Sequence, residues 1–184
     1  MALTFSASAI VIMGISGCGK STLGHRLSEA TGYRFVEGDD LHMPASIAKM
    51  SAGTALTDED RWPWLERVAD VLRDARDEAR GGRIVSCSAL RRSYRDLLRS
   101  RVGERLLFVF PKVSIDIVQA RLRNRPDHYM PTSLLDSQMA TLEVPTPDER
   151  VLTIDGNASP AQSIDLILGF LSVSADIQTR AAPR

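Results

Sequence analysis

The sequence predicts an α/β fold, a five-stranded parallel sheet with helices on both faces, and three observations predict it. Short apolar runs of strand length alternate with helix-length segments along nearly the whole chain. The helix-length segments carry apolar residues at three- and four-residue spacing, which gives each one buried face. The first apolar run leads through a glycine-rich turn directly into a helix. Strands that are short, apolar and separated by helices belong to a parallel sheet covered on both sides.

The elements follow in order. Ala9-Ile-Val-Ile-Met13 is the first strand, and the helix from Lys20 sets Leu23, Leu27 and Ala30 on one face before Gly32 stops it. Residues 34–37 form a second strand that ends at Gly38-Asp39-Asp40. A long helix follows Thr57, with Leu65, Val68, Leu72, Ala75 and Ala79 inward and Gly81-Gly82 at its close. Its start, Thr57-x-x-Asp60, resembles a capping box, and Trp62 and Trp64 pack it against the body. The third strand covers 83–88, a helix 93–100, and the fourth strand 106–110. Ser114 caps a helix bearing Ile115, Val118 and Leu122, and Thr132 caps one bearing Leu135, Met139 and Leu142. The fifth strand covers 151–155, and Ser159-Pro160 opens a last helix through Ile164, Ile167, Leu168 and Leu171. Residues 173–184 lack periodicity and are expected to be a disordered tail.

Composition bounds the class. A chain of 184 residues with 43% hydrophobic content buries one core, so residues 1–172 are expected to form a single domain. Charges balance at 23 against 23 without a like-charge block, which speaks against a nucleic-acid groove or an anionic membrane surface. No apolar run approaches a membrane span, and the start lacks a signal pattern. Cys18 and Cys87 are too few for a disulfide framework, so a cytoplasmic enzyme is expected. Cys18 reads as a small loop filler and Cys87 as a buried apolar residue, with an oxidation-sensitive pair as the alternative. Only three of the 23 basic residues are Lys, at 20, 49 and 112. Each is therefore a candidate for a site that needs a compact ammonium rather than a planar fork.

The glycine-rich turn carries the chemistry. Gly14-Ile15-Ser16-Gly17-Cys18-Gly19-Lys20-Ser21, followed by Thr22, is G-x-x-x-x-G-K-[ST] between a buried strand and a helix. Its glycines let successive N–H groups converge on phosphate oxygens, and the helix directs its positive end at the same anion. Lys20 reaches the outer phosphates and Ser21 supplies a hydroxyl for Mg²⁺. The segment binds ATP or GTP. Ligands of such sheets lie outside the carboxyl ends of the strands. That rule gathers the loop, Gly38-Asp39-Asp40, Ser86-Cys87-Ser88 and Pro111-Lys112 at one edge. Asp39 there can take a proton from a substrate hydroxyl or hold a magnesium-bound water, and Asp40 is the structural one of the pair. The Arg-rich, Pro-punctuated stretch from Arg121 to Pro131 reads as a lid that closes over the nucleotide. A GTPase switch would need N-K-x-D and D-x-x-G segments, which are absent. A binding protein without turnover would have no use for the lid and the acidic strand end.

The chain resembles the gluconate kinases, small P-loop enzymes related to shikimate and adenylate kinases. The resemblance rests on the phosphate loop, Gly38-Asp39-Asp40-Leu41-His42, Lys49-Met50-Ser-Ala-Gly53, Leu56-Thr-Asp-Glu-Asp-Arg61-Trp-Pro-Trp-Leu65, Cys87-Ser-Ala-Leu90, Tyr94-Arg-Asp-Leu-Leu-Arg99 and Leu134-Leu-Asp-Ser-Gln138 through Leu142-Glu143. It implies a three-layer P-loop kinase fold, with a substrate-binding segment at about 39–80 and the lid at about 121–134. The implied reaction is ATP plus D-gluconate giving 6-phosphogluconate and ADP, with shikimate or another sugar acid as the alternative substrate. The resemblance makes Lys20, Asp39 and Arg125 the catalytic residues, with Asp39 as base and shared with Mg²⁺. His42, Lys49 and Arg61 become contacts to gluconate, Ser88 and Arg91 flank it, and His128 closes on it with the lid. The family usually has Asn at Ser46, Lys at Arg91 and Pro at Ala55, and the first two bear on substrate contacts. No Asp follows the third strand, so the metal relies on Ser21, water and Asp39. Adenine contacts are expected near 155–159, and the sequence leaves a homodimer open.

Overall fold

The computed structural model describes residues 7–74, 82–123 and 132–181, the last stretch with side chains from 134 to 172. Five strands, β1 (Ala9–Met13), β2 (Arg34–Glu37), β3 (Arg83–Cys87), β4 (Leu106–Lys112) and β5 (Val151–Asp155), form one parallel sheet in the order β2-β3-β1-β4-β5. β1 is central and buried at every position, which is why its sequence is an unbroken apolar run rather than an alternating one.

The pleat divides that run between two cores. Ala9, Val11 and Met13 face α3 (Asp58–Arg73) and α4 (Arg92–Val102), packing with Trp64, Leu65, Val68, Leu72, Tyr94, Leu98 and Phe108. Ile10 and Ile12 face α1 (Lys20–Thr31) and the final helix, with Leu23, Leu27, Ile164, Ile167 and Leu171. Alternation of period two thus feeds both layers from one strand. A third cluster joins Ile15 and Cys18 of the glycine-rich turn to Val118 of α5 (Ile115–Arg123) and Leu135 of α6 (Thr132–Thr141).

The termini of the elements have local causes. Gly32 closes α1 in the left-handed conformation at φ 75°, its N–H on Ser28 O. Thr57 and Asp60 form the expected capping box at the start of α3.

Three expectations are corrected, and part of a fourth lies outside the described residues. Between β2 and α3 the chain makes a 3₁₀ turn, Gly38–Leu41, and a helix α2, Pro44–Ser51, that periodicity did not predict. Pro44 at its first turn and Lys49 in its last were the available signals, but eight residues are too few to show a face. α3 is described as far as Arg73, so Ala75, Ala79 and Gly81 lie outside the described residues. β4 continues through Pro111 to Lys112. Pro111 lies past Val109, the last β4 residue paired with β1, where a residue without an N–H costs the ladder less. The final helix, α7 (Pro160–Ala181), runs on past Ser172 instead of giving way to a disordered tail. No Gly or Pro lies between Ser172 and Ala181, and Pro183 comes only afterwards. No helix among the described residues is long and apolar enough to cross a membrane.

One charged pair sits inside the α4 side of the sheet. Arg95 and Glu149 are both buried and meet through two bonds of 2.6 and 2.9 Å. Arg95 Nη1 also donates to the carbonyls of Ala89 and Leu90, each at 3.1 Å, in the loop after β3. Glu149 accepts from Thr146 N at 3.1 Å, and its own carbonyl accepts from Arg99. Burial pushes the Glu149 carboxyl up, but Arg95, the Thr146 amide and Arg99 overrule it and bring it down to about 2. A carboxylate with a lowered folded pKa contributes stability that is complete above its ordinary value near 4.5 and lost as pH falls through about 2. Denaturant unfolding across that acid range should therefore lose stability in the wild type and show a flatter limb in Glu149→Gln. At neutral pH the same variant should cost about 3–5 kcal/mol, because it leaves a buried guanidinium without its counter-charge. A cost under about 1 kcal/mol would mean that water reaches Arg95.

Candidate active site at the carboxyl edge of the sheet

The loops after β1, β2 and β3 open into one cavity of about 1000 Å³. Its walls include residues Ser16 to Leu23, Glu37, Asp39, Asp40, His42, Arg61, Ser88, Arg121 and Gln138.

The phosphate loop is fixed from below and from both sides. Gly14 lies at φ 130°, where a Cβ would stand 2.9 Å from Cys18 Sγ, and its N–H donates to Ser88 O at 3.1 Å. Gly17 lies at φ 79°, and a Cβ there would press on Leu122 and Val118 of α5 at 3.0 and 3.1 Å. Lys20 Nζ rests on Ile15 O at 3.0 Å, within the loop it serves. Arg121 at the end of α5 donates to Cys18 O at 3.4 Å and to Gly156 O at 2.9 Å, tying the loop to the turn after β5. Gln138 of α6 accepts from Ser16 N at 2.7 Å. Gly14 and Ile15 are buried under the loop, while Ser16 to Thr22 border the cavity. Both cysteines are buried. Burial pushes the Cys87 thiol up to about 12, so it stays protonated and the alternative of a reactive pair loses one thiolate.

Asp39 is aimed by its neighbour. Gly38 N donates to Ser86 Oγ at 3.1 Å, and Trp64 Nε1 donates to Gly38 O at 2.6 Å. A Cβ on Gly38 would fall 1.9 Å from Ser86 O, so the strand end sits flat on β3. Asp39 then projects exposed at the cavity rim. Asp40, expected to serve only the turn, borders the cavity as well. His42 stacks on Trp64 with ring centroids 4.3 Å apart and planes 13° off parallel. Burial lowers its pKa, Asp39 opposes and Arg61 assists, so the ring is neutral near pH 7. Its Nδ1 is buried and has no partner among the described residues.

The expected cations divide. Arg61 borders the cavity, its side chain 12% exposed, with Nη1 3.4 Å from Tyr94 Oη and 3.9 Å from Asp58 Oδ1. Tyr94 donates to Asp58 Oδ1 at 2.5 Å. Arg91 is not in the cavity wall; its Nη1 is 2.7 Å from Asp58 Oδ2. Lys49 is also outside the wall and grips both oxygens of Asp60 at 2.7 and 2.9 Å. The physical reason is shared: each lies beside a carboxylate of the α3 first turn that neutralises it. Ser46 is buried and away from the cavity, whereas Ala55 borders it. Ser88 is in the wall as expected. Arg125 and His128 lie outside the described residues.

Glu37, Arg121 and Gln138 are among the wall residues that the sequence did not single out as site residues. Glu37, which accepts from Ser86 Oγ, stands one position before Gly38, and the strand-end rule would have reached it. Arg121 was visible as the first Arg of the lid stretch, not as a brace on the loop. Gln138 belongs to the Leu134–Gln138 segment that carries the family resemblance, but nothing in that segment assigned it to the site.

Comparison with known proteins agrees with this geometry. A family model described as an AAA domain matches residues 10–145. A gluconokinase of Gluconobacter oxydans is 47% identical over 153 residues, covering 82% of this chain and 84% of its own. The thermosensitive gluconokinase of Escherichia coli is 39% identical over 153 residues, covering 83% and 81%. The crystal structure of a gluconokinase from Sinorhizobium meliloti superposes with a TM-score of 0.84 at 41% identity, covering 97% of this chain and all of that one. With a phosphate loop, an acidic strand end and relatives matched over most of their length, the chain belongs to the gluconokinase family.

Proposed function

We propose that the protein transfers the terminal phosphoryl group of ATP to D-gluconate, giving 6-phospho-D-gluconate and ADP. The observation that carries this reading is the placement of Asp39 on the rim of the same cavity that holds Lys20 and the phosphate loop. Gluconate's 6-hydroxyl gives its proton to the Asp39 carboxylate as its oxygen attacks the outermost phosphorus. The bond from that phosphorus to the bridging oxygen breaks, and the electron pair leaves with ADP. Charge that spreads onto the phosphoryl oxygens meets the loop N–H groups and the Lys20 ammonium, which moves off Ile15 O to reach it.

Arg61 is the cation for the sugar-acid carboxylate, because it is held in the wall while Asp58 is shared with Tyr94 and Arg91. His42, neutral and locked on Trp64, offers ring nitrogens to hydroxyls rather than a charge. Ser88 adds a hydroxyl from the third strand's end. Lys49 and Arg91 reach gluconate only by leaving Asp60 and Asp58. Arg125 and His128 would close from the lid.

Among the described residues no group of three or more His, Cys, Asp or Glu could cage a metal. Ser21 and Asp39, both in the cavity wall, would hold a Mg²⁺ ion together with the nucleotide, an oxygen-ligand set that suits this hard cation. Such an ion would supply charge neutralisation for the transferred phosphoryl group.

A coupled assay of ATP turnover with gluconate, shikimate and nucleoside monophosphates tests the reading. Turnover with gluconate alone is expected, and preference for another acceptor would overturn the substrate assignment. Lys20→Ala should lose on the order of 3 kcal/mol of transition-state stabilisation. Asp39→Asn should nearly abolish turnover while ATP still binds, and near-normal turnover would remove its role as base.

The two candidate carboxylate cations are separable. Arg61→Ala should raise the KM for gluconate far more than the KM for ATP. Lys49→Ala should raise it less, since its ammonium is already engaged by Asp60 outside the cavity wall. A larger effect for Lys49 would mean that α2 swings in on binding.

A further inference from the structure

The peptide unit between Ile15 and Ser16 is held on both edges. Its carbonyl accepts from Lys20 Nζ at 3.0 Å, and its N–H donates to Gln138 Oε1 at 2.7 Å. In a trans peptide those groups point to opposite sides, so Lys20 and Gln138 bracket the first turn of the phosphate loop. Lys20 is the residue that serves the outer phosphates in a loop of this spacing. Gln138 joins the wall of the cavity that also holds Lys20 and the phosphate loop.

The carboxamide's orientation is dictated. Ser16 N–H can only donate, so the atom facing it must be the amide oxygen, and the NH₂ group must point elsewhere. No described residue takes a hydrogen bond from that NH₂; among the described residues the one partner of the Gln138 side chain is Ser16. Its helix cannot drift either, because Leu135 is buried with Ile15, Cys18, Leu90 and Val118, and Met139 packs on the same cluster. The carboxamide thus brings to the wall of the phosphate-loop cavity a donor that no described residue occupies, in a position fixed before substrate arrives.

Resting on the kinase reading above, we infer that Gln138 is a catalytic residue whose Nε2 donates to the transferred phosphoryl group while Oε1 holds the Ser16 amide. The group would act on the nucleoside triphosphate and have nothing to grip on the diphosphate.

The test uses the full chain, as wild type, Gln138→Ala and Gln138→Glu. It measures kcat with gluconate and the dissociation constants of ADP and of a β,γ-imido ATP analogue. The Glu variant keeps an acceptor for Ser16 but replaces the donor with a negative charge. Expected are ADP affinities within about twofold of wild type, weaker analogue binding in both variants, and kcat lowered at least about tenfold by Ala. Glu should lower kcat further. A Glu variant more active than the Ala variant, or equal losses of ADP and analogue affinity, would overturn the inference and leave Gln138 as a latch on the loop. Because Glu preserves the latch, misfolding of Ala alone does not blur the result. If wild type fails to phosphorylate gluconate, the proposed substrate is wrong, and the comparison of ADP with the analogue still decides the role of Gln138.

Discussion

Parallel pairing of β3 with both β1 and β2 is the constraint on which the site depends. Met13 aligns with Cys87 and Glu37 with Ser86, so the three strands end within a residue of one another. Three loops then leave the sheet side by side. That common edge lets Ser88 O receive Gly14 N–H and Ser86 Oγ receive Gly38 N–H. A one-residue slip of β3 would turn Ser86 into the α3 core and bring a buried apolar residue to the edge. Sheet register and active-site geometry are in this sense one property.

Charge is arranged so that cations are few where the substrate goes. The first turn of α3 carries Asp58, Glu59 and Asp60, which suit a helix N-terminus. The same carboxylates absorb Arg91 and Lys49 and partly offset Arg61. One helix start thus serves as cap, dipole partner and sink for cations. Of these three cations Arg61 borders the cavity, with a neutral His42 next to it. An acceptor bearing a single carboxylate and several hydroxyls fits this better than a polyanion would.

Much of this was legible in the sequence, for physical reasons that differ from element to element. The five strands and the phosphate loop are local: a buried run such as Ala9 to Met13 and a loop such as Gly14 to Ser21 can be read without knowing their neighbours. The edge that gathers Asp39, Ser88 and Lys20 follows from the handedness and parallel order of such sheets. Ion pairing is not local. The ion pairs of Lys49 with Asp60 and of Arg91 with Asp58 join separate elements, and the spacing carries no sign of them. α2 escaped because a two-turn helix has too few positions to declare a period, and the extension of α7 because the absence of a breaker is a weaker signal than an apolar face. The place of Gln138 in the site did not show for the same reason as the ion pairs: it is made by a bond to Ser16, 122 residues away.

The buried Arg95–Glu149 pair links that fold-level economy to the site. Replacing such a pair by apolar residues of similar volume often stabilises a protein, so its value here is better sought in what it orients. Arg95 spends one nitrogen on the carbonyls of Ala89 and Leu90, and Ala89 stands at φ 41°, a conformation that a residue with a Cβ adopts at a cost. That turn follows Ser88, whose carbonyl holds the first glycine of the phosphate loop, and Leu90 O accepts from Glu143 N just beyond α6. The strained turn therefore joins the phosphate loop to the segment that carries Gln138. An apolar pair could fill the volume of Arg95 and Glu149, but it could not bind two successive carbonyls. The charge is retained at a place where only a multidentate donor can hold the backbone in the shape the loop requires.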